Sequence, residues 1–141
     1  MPAFKSDAAR TDSPIVLDGQ PAVLVIDDCA DFAYFVASII ESAGCRAIVA
    51  TDGIEGLLLA QEFPLALVLC DLSMPVLDGA EVLRKLQDNP ATAEVPRVLM
   101  SGHGCPDLSV IPADAFIAKP IQTQSLRRLV RAFTRPQIAA H

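Results

Sequence analysis

The sequence predicts a doubly wound α/β sandwich: one five-stranded parallel sheet with helices on both faces. Three observations carry that prediction. Strand-like and helix-like segments alternate from Pro21 onward, the pattern that right-handed parallel crossovers produce. The strand candidates are continuous apolar runs rather than alternating ones, as a sheet covered on both faces requires. Polar residues close several of those runs: Asp27 and Asp28, Asp71, Ser101 and Lys119. In open α/β sheets, ligands bind just beyond the carboxyl ends of the strands.

The elements follow in order. Residues 1–20 are polar, with Pro2, Pro14 and Gly19 and no sustained periodicity, and read as a flexible N-terminal extension. Val23 to Ile26 is the first strand. Phe32, Phe35, Val36, Ile39 and Ile40 then recur at the spacing of an amphipathic helix, which Gly44 ends. Ala47-Ile48-Val49 is a short second strand; Ile54, Leu57, Leu58 and Gln61 mark a brief helix that stops before Pro64. Leu65 to Cys70 is the third strand. A helix from Ala80 to Asp88 turns Val82, Leu83 and Leu86 inward and is halted by Pro90. Val98 to Met100 and Ala115 to Ala118 are the last two strands. Leu126, Leu129, Val130 and Phe133 stripe a final helix before Pro136. Residues 21–135 are thus expected to form one domain, with 136–141 as a tail.

Composition narrows the function. A chain of 141 residues suits a single domain with a real core. Hydrophobic residues make up 52% of it, yet the longest apolar runs fall far short of the ~20 residues needed to cross a bilayer. Met1-Pro2-Ala3-Phe4-Lys5-Ser6-Asp7 lacks the apolar core of a signal peptide, so a cytoplasmic protein without membrane partners is expected. The net charge of −6 argues against general affinity for nucleic acid. Cys29, Cys45, Cys70 and Cys105 show no CxxC or metal-ligand spacing and read as free thiols. With only His103 and His141, a histidine-based zinc site is disfavoured.

Three carboxylates gathered at one sheet edge are unstable unless a hard cation or a proton neutralises them. Asp27 and Asp28 suit Mg²⁺ (or Mn²⁺), which prefers oxygen ligands. Asp71 suits a third ligand that also acts as nucleophile toward a phosphoryl group. Ser101 offers a hydroxyl, and Lys119 a compact positive charge, to phosphoryl oxygens. A lone acid at a strand end is ordinarily a helix cap or a loop residue; the convergence of five positions is what points to a site. Cys70, beside Asp71, is turned away by strand alternation and reads as a small core residue.

Val23-Leu24-Val25-Ile26-Asp27-Asp28, Asp71 with Met74-Pro75 and Asp78-Gly79, Ser101-Gly102 and Lys119-Pro120 together resemble the receiver domain of two-component response regulators, over roughly residues 21 to 135. The resemblance implies a flavodoxin-like (CheY-like) three-layer sandwich and a phosphoacceptor at Asp71. A sensor histidine kinase or a histidine phosphotransfer protein would load it. It also implies Mg²⁺ held by Asp27, Asp28, Asp71 and the backbone carbonyl of Ser73. Ser101 takes the place of the switch hydroxyl, Lys119 that of the phosphate-contacting lysine and Phe116 that of the switch aromatic. Ser73 and His103 occupy positions that influence phosphoryl lifetime. No enzymatic activity is expected beyond self-phosphorylation from a donor and autodephosphorylation. The output would be a contact with a downstream protein, or onward phosphorelay, from a stand-alone receiver.

One stretch departs from the pattern. Between Ser101 and Lys119, the segment Gly102-His103-Gly104-Cys105-Pro106-Asp107-Leu108-Ser109-Val110-Ile111-Pro112 carries two glycines and two prolines, where receivers fit a full helix. At most one turn, Asp107 to Ile111, is expected to be helical. That shortage motivates an alternative, a pseudo-receiver that keeps the fold without phosphorylation-dependent switching. A phosphohydrolase with an aspartyl nucleophile would carry Asp-x-Asp, but position 73 is Ser. Arg127, Arg128, Arg131 and Arg135 read as a solvated face of the last helix.

Overall fold

A computed structural model of the chain describes residues 16, 17 and 19–135. The rest of the 1–20 extension and the 136–141 tail lie outside the described residues. The elements run β1 (Val16–Leu17), β2 (Gln20–Ile26), α1 (Ala30–Ser42), β3 (Arg46–Ala50), α2 (Gly53–Glu62), β4 (Leu67–Asp71), α3 (Gly79–Asp88), β5 (Arg97–Ser101), β6 (Ala115–Ala118) and α4 (Thr123–Thr134). Five strands pair in parallel in the order β3-β2-β4-β5-β6. β1 adds a two-residue antiparallel pairing, Val16 opposite Pro21 and Leu17 opposite Gln20, ahead of the first strand that periodicity marks.

Strand alternation divides the interior into two cores. Val23, Val25, Leu67, Leu69, Val98 and Met100 face α1 and α4, packing with Val36, Ile40, Leu126 and Val130. Leu24, Ile26, Val68, Cys70 and Leu99 face α2 and α3, packing with Ala60, Val82, Leu83 and Leu86. Helices cover both faces of these strands at once, which is why they read as unbroken apolar runs.

Two helices present faces other than those the stripe predicts. In α2, Ile54 and Leu58 are 55% and 62% exposed, and the buried face is Gly53, Gly56 and Ala60. A Cβ on Gly56 would lie 2.5 Å from Cδ1 of Ile26, so the helix rests on the sheet through its smallest residues, with Leu57 and Leu59 half-buried at the flanks and Leu58 turned out. In α1, Phe35 is 44% exposed, and Ala33 and Ala37 join Val36, Ile39 and Ile40 on the buried side. On α4 and at its C-cap, Arg128, Arg131 and Arg135 are exposed. Arg127 instead reaches across, its Nε donating to Ser42 Oγ of α1 at 3.1 Å.

No helix forms between β5 and β6. Val110 N and Ile111 N donate to Asp107 O at 3.1 and 3.2 Å, a single turn where the sequence allows one. Leu108, Ile111 and Ala113 pack against the α2/α3-side core in the helix's stead. The segment is tied down by Arg97, whose Nε donates to Pro112 O at 2.8 Å and whose Nη1 donates to Ala93 O at 3.0 Å. Asp114 completes the clasp, its carboxylate accepting from Arg97 N at 2.8 Å.

Candidate functional site

Register brings the acids together. Ile26 pairs with Cys70, so the residues that follow, Asp27 and Asp71, stand side by side at the carboxyl ends of adjacent strands. They continue the odd-numbered rows Val23-Val25 and Leu67-Leu69, and so emerge on the α1/α4 side. Lys119 follows β6 on the row of Ala115 and Ile117, which lie on that same side. The strand order reverses here, with β3 on one flank of β2 and β4 on the other, the crevice at which such sheets bind ligands.

Within the crevice, Lys119 Nζ lies 3.0 Å from Asp27 Oδ2 and 2.9 Å from Asp71 Oδ1. The other oxygen of Asp27 accepts from Cys29 N at 2.9 Å, where the chain turns into α1. Asp27 and Asp71 are buried and Asp28 is exposed, and one carboxylate oxygen from each of the three lies within 4.8 Å of the others. Among the described residues this is the cluster able to hold a cation. Burial pushes the Asp71 carboxyl above the ordinary range, and the charges of Asp27 and Asp28 add to that push against the pull of Lys119. Lys119 is also raised: burial lowers it, and the hydrogen bonds and charges of Asp71 and Asp27 more than compensate. The lysine thus neutralises much of the repulsion that three bare carboxylates imply.

The loop from β4 into α3 is built to fit this spot. Gly79 N donates to Leu72 O at 2.8 Å. A Cβ on Gly79 would run into the Asp71 carbonyl oxygen and lie 2.8 Å from Leu72 Cα, so only glycine lets α3 start against the end of β4. Asp78 caps that helix in a reciprocal box, its Oδ1 accepting from Glu81 N at 2.9 Å while Glu81 Oε1 accepts from Asp78 N at 3.0 Å. The Asp78-x-x-Glu81 spacing is the sequence signal for this cap. Val76 holds φ at 70° in a tight turn closed by Leu77 N donating to Pro75 O at 2.7 Å.

Ser101 ends β5, 2% exposed. Its carbonyl accepts from Lys119 N at 2.8 Å, and its Oγ accepts from His103 N at 3.1 Å. Ser73 and His103 are exposed in the loops after β4 and β5. Phe116 lies on the opposite side of the sheet from the acids, paired with Leu99 and packed with the α2/α3-side core. Cys70 is fully buried there, its thiol donating to Asp71 O at 3.4 Å; burial pushes its pKa far up, and the carboxylate of Asp71 adds to that. All four cysteines are free thiols. No helix among the described residues is long and apolar enough to cross a membrane.

Residues 23–131 match the family model of the response regulator receiver domain. The chain belongs to that family. Among curated relatives of this receiver is a DNA-binding dual master transcriptional regulator from Synechocystis, 31% identical over 130 residues. That match takes in 86% of this chain but spans only 54% of the relative's length. A two-component response regulator from Oryza sativa is 29% identical over 119 residues, covering 79% of this chain and 87% of the relative. Among solved structures, the receiver domain of a Francisella response regulator is 28% identical with a TM-score of 0.73, covering 82% of this chain and 97% of that one. The receiver domain of a Pseudomonas aeruginosa sensor histidine kinase shares the fold at a TM-score of 0.75 and 20% identity, covering 82% of this chain and 98% of that one. That domain was solved with a magnesium ion coordinated in its active-site cleft.

Proposed function

We propose that this receiver is phosphorylated on Asp71 by a sensor histidine kinase or a histidine phosphotransfer protein, in a Mg²⁺-dependent manner. The observation that carries the reading is the Lys119 ammonium held between Asp71 and Asp27 in a three-carboxylate cluster. The donor set suits a hard divalent cation, since it is all oxygen, closely spaced and open to water on the Asp28 side. Asp27, Asp28, Asp71 and the Ser73 carbonyl would hold it, and a bound Mg²⁺ would supply charge neutralisation for incoming phosphoryl oxygens.

The chain's own residues account for the transfer. An Asp71 carboxylate oxygen forms the new P–O bond as the donor's P–N bond breaks, and the departing imidazole takes up a proton. Lys119 stays beside the oxygen that reacts and stabilises charge on the phosphoryl group. Ser101 Oγ, at the end of the neighbouring strand, supplies a hydroxyl donor once the group is in place. Phe116 and the loop 102–112 carry the change outward, to a protein contact or onward phosphorelay. Ser73 and His103 flank the phosphoryl site and tune how long it persists.

Acetyl phosphate with Mg²⁺ should add one phosphoryl mass to the wild type and none to Asp71→Asn. Equal mass gain by both proteins, or by neither, would overturn the assignment. The pseudo-receiver reading draws on the missing helix between β5 and β6. Hydrogen exchange over residues 102–112 separates the two readings: protection should rise on adding beryllofluoride and Mg²⁺. Unchanged exchange would favour a module without switching.

A further inference from the structure

The ring of Phe32 lies under the Lys119 ammonium, with Nζ 4.4 Å from the ring centroid. Phe32 occupies the first turn of α1, three residues beyond the Asp28-Cys29 bend, so one short segment delivers both acids and the ring. The bend is fixed by Cys29 N donating to Asp27 Oδ1 at 2.9 Å and by Ala33 N donating to Cys29 O at 2.9 Å. Phe35, one helical turn on, packs against the ring with centroids 6.0 Å apart at 43°, which holds the ring's face toward the lysine. An ammonium has three N–H donors. Two meet Asp27 and Asp71, and the third has the negative π face within reach.

We infer that Phe32 is a positioning residue for Lys119, acting as a cation–π seat that keeps the ammonium at Asp71 while the carboxylates change partners. The inference rests on the phosphoacceptor reading. Both of the lysine's anionic contacts are altered when a cation binds and when Asp71 is esterified. The contact with an uncharged ring is not. A ring serving only as apolar filler would be replaceable by any side chain of similar bulk; a seat requires the π face.

Two measurements test this. In the metal-free protein, the Lys119 ε-methylene protons should be shifted upfield by the ring current. Phe32→Leu should abolish that shift, and Phe32→Tyr should keep it. Beryllofluoride affinity in saturating Mg²⁺, by calorimetry, should then fall roughly three- to tenfold in Phe32→Leu and stay within about twofold in Phe32→Tyr. Mono-, di- and trifluorinated phenylalanine at position 32 preserve the shape while draining the π face, so affinity should step down along that series. Wild-type affinity in Phe32→Leu, or a flat fluorine series, overturns the inference even if Asp71 is phosphorylated as proposed. If the wild type takes up no beryllofluoride, the phosphoacceptor reading has failed instead, and the ring-current shift alone then decides whether Phe32 seats the lysine.

Discussion

Replacing Lys119 by Met keeps the length of the side chain and removes its charge, and the structure sets what that should cost. The Lys119 side chain is 24% exposed, whereas those of Asp27 and Asp71 are 1% and 8% exposed. At 3 Å each pair has a gross Coulomb energy of about 5 kcal/mol at an effective dielectric of 20. Desolvation cancels much of that, and removing one partner of a fully buried pair typically costs ~3–5 kcal/mol. Lys119 is partly hydrated, and water can enter the gap it leaves. A destabilisation of about 2–3 kcal/mol is therefore expected in EDTA. The assay is urea unfolding of wild type and Lys119→Met, in EDTA and in saturating Mg²⁺. In the wild type a cation competes with Lys119 for the same carboxylates; in the variant it meets them unopposed. Mg²⁺ should accordingly stabilise the variant more than the wild type and close most of the gap. A variant as stable as wild type in EDTA, or an equal Mg²⁺ increment in both, would refute the claim that the lysine neutralises this cluster.

Three further predictions rest on single positions. Gly79→Ala should destabilise the protein by ~2–3 kcal/mol in urea melts, because the colliding atoms are backbone and cannot rotate away; Gly102→Ala is the control, since its Cβ would meet Lys119 Cβ at an ordinary 3.6 Å. Val76→Gly should stabilise by about 1 kcal/mol, the relief of a left-handed β-branched residue less the entropy glycine loses on folding; a loss of stability would show that the turn is not strained. Asp71→Asn should raise the metal-free thermal midpoint at neutral pH. Since the folded carboxyl is raised above its unfolded value, the folded state holds more protons, and the wild type loses stability as pH climbs from the unfolded pKa through the folded one. The advantage of the Asn variant should grow across that window and vanish below it; an advantage independent of pH would contradict the shift.

How much was legible follows from how strongly each element writes its period. β2, β4 and β5 each carry an unbroken apolar run, and Asp27, Asp71 and Ser101, which close those runs, are legible with them. α2 defeats the stripe rule because its contact face is Gly53, Gly56 and Ala60, which register as gaps rather than as apolar positions. Phe35 misleads for the opposite reason, a large ring at helical spacing that faces out beside Phe32. β1 is two residues long, too short for any periodicity. The missing helix after β5 was readable from Gly102, Gly104, Pro106 and Pro112. Arg97 as its replacement strut was not, because a charged residue opening a buried strand gives no sign of the carbonyls it will meet. Lys119 was legible as a member of the strand-end cluster, but its double bridge depends on where β6 falls in the sheet relative to β2 and β4, which spacing alone does not encode.

The central claim is that Asp71, and neither of its acidic neighbours, carries the phosphoryl group. Borohydride reduces an aspartyl phosphate to homoserine, so treating the acetyl phosphate-loaded protein and sequencing its peptides by mass spectrometry names the residue. Homoserine at position 71 alone, dependent on Mg²⁺, is the predicted result. Homoserine at position 27 or 28, or at no position in protein that has gained phosphoryl mass, would contradict it.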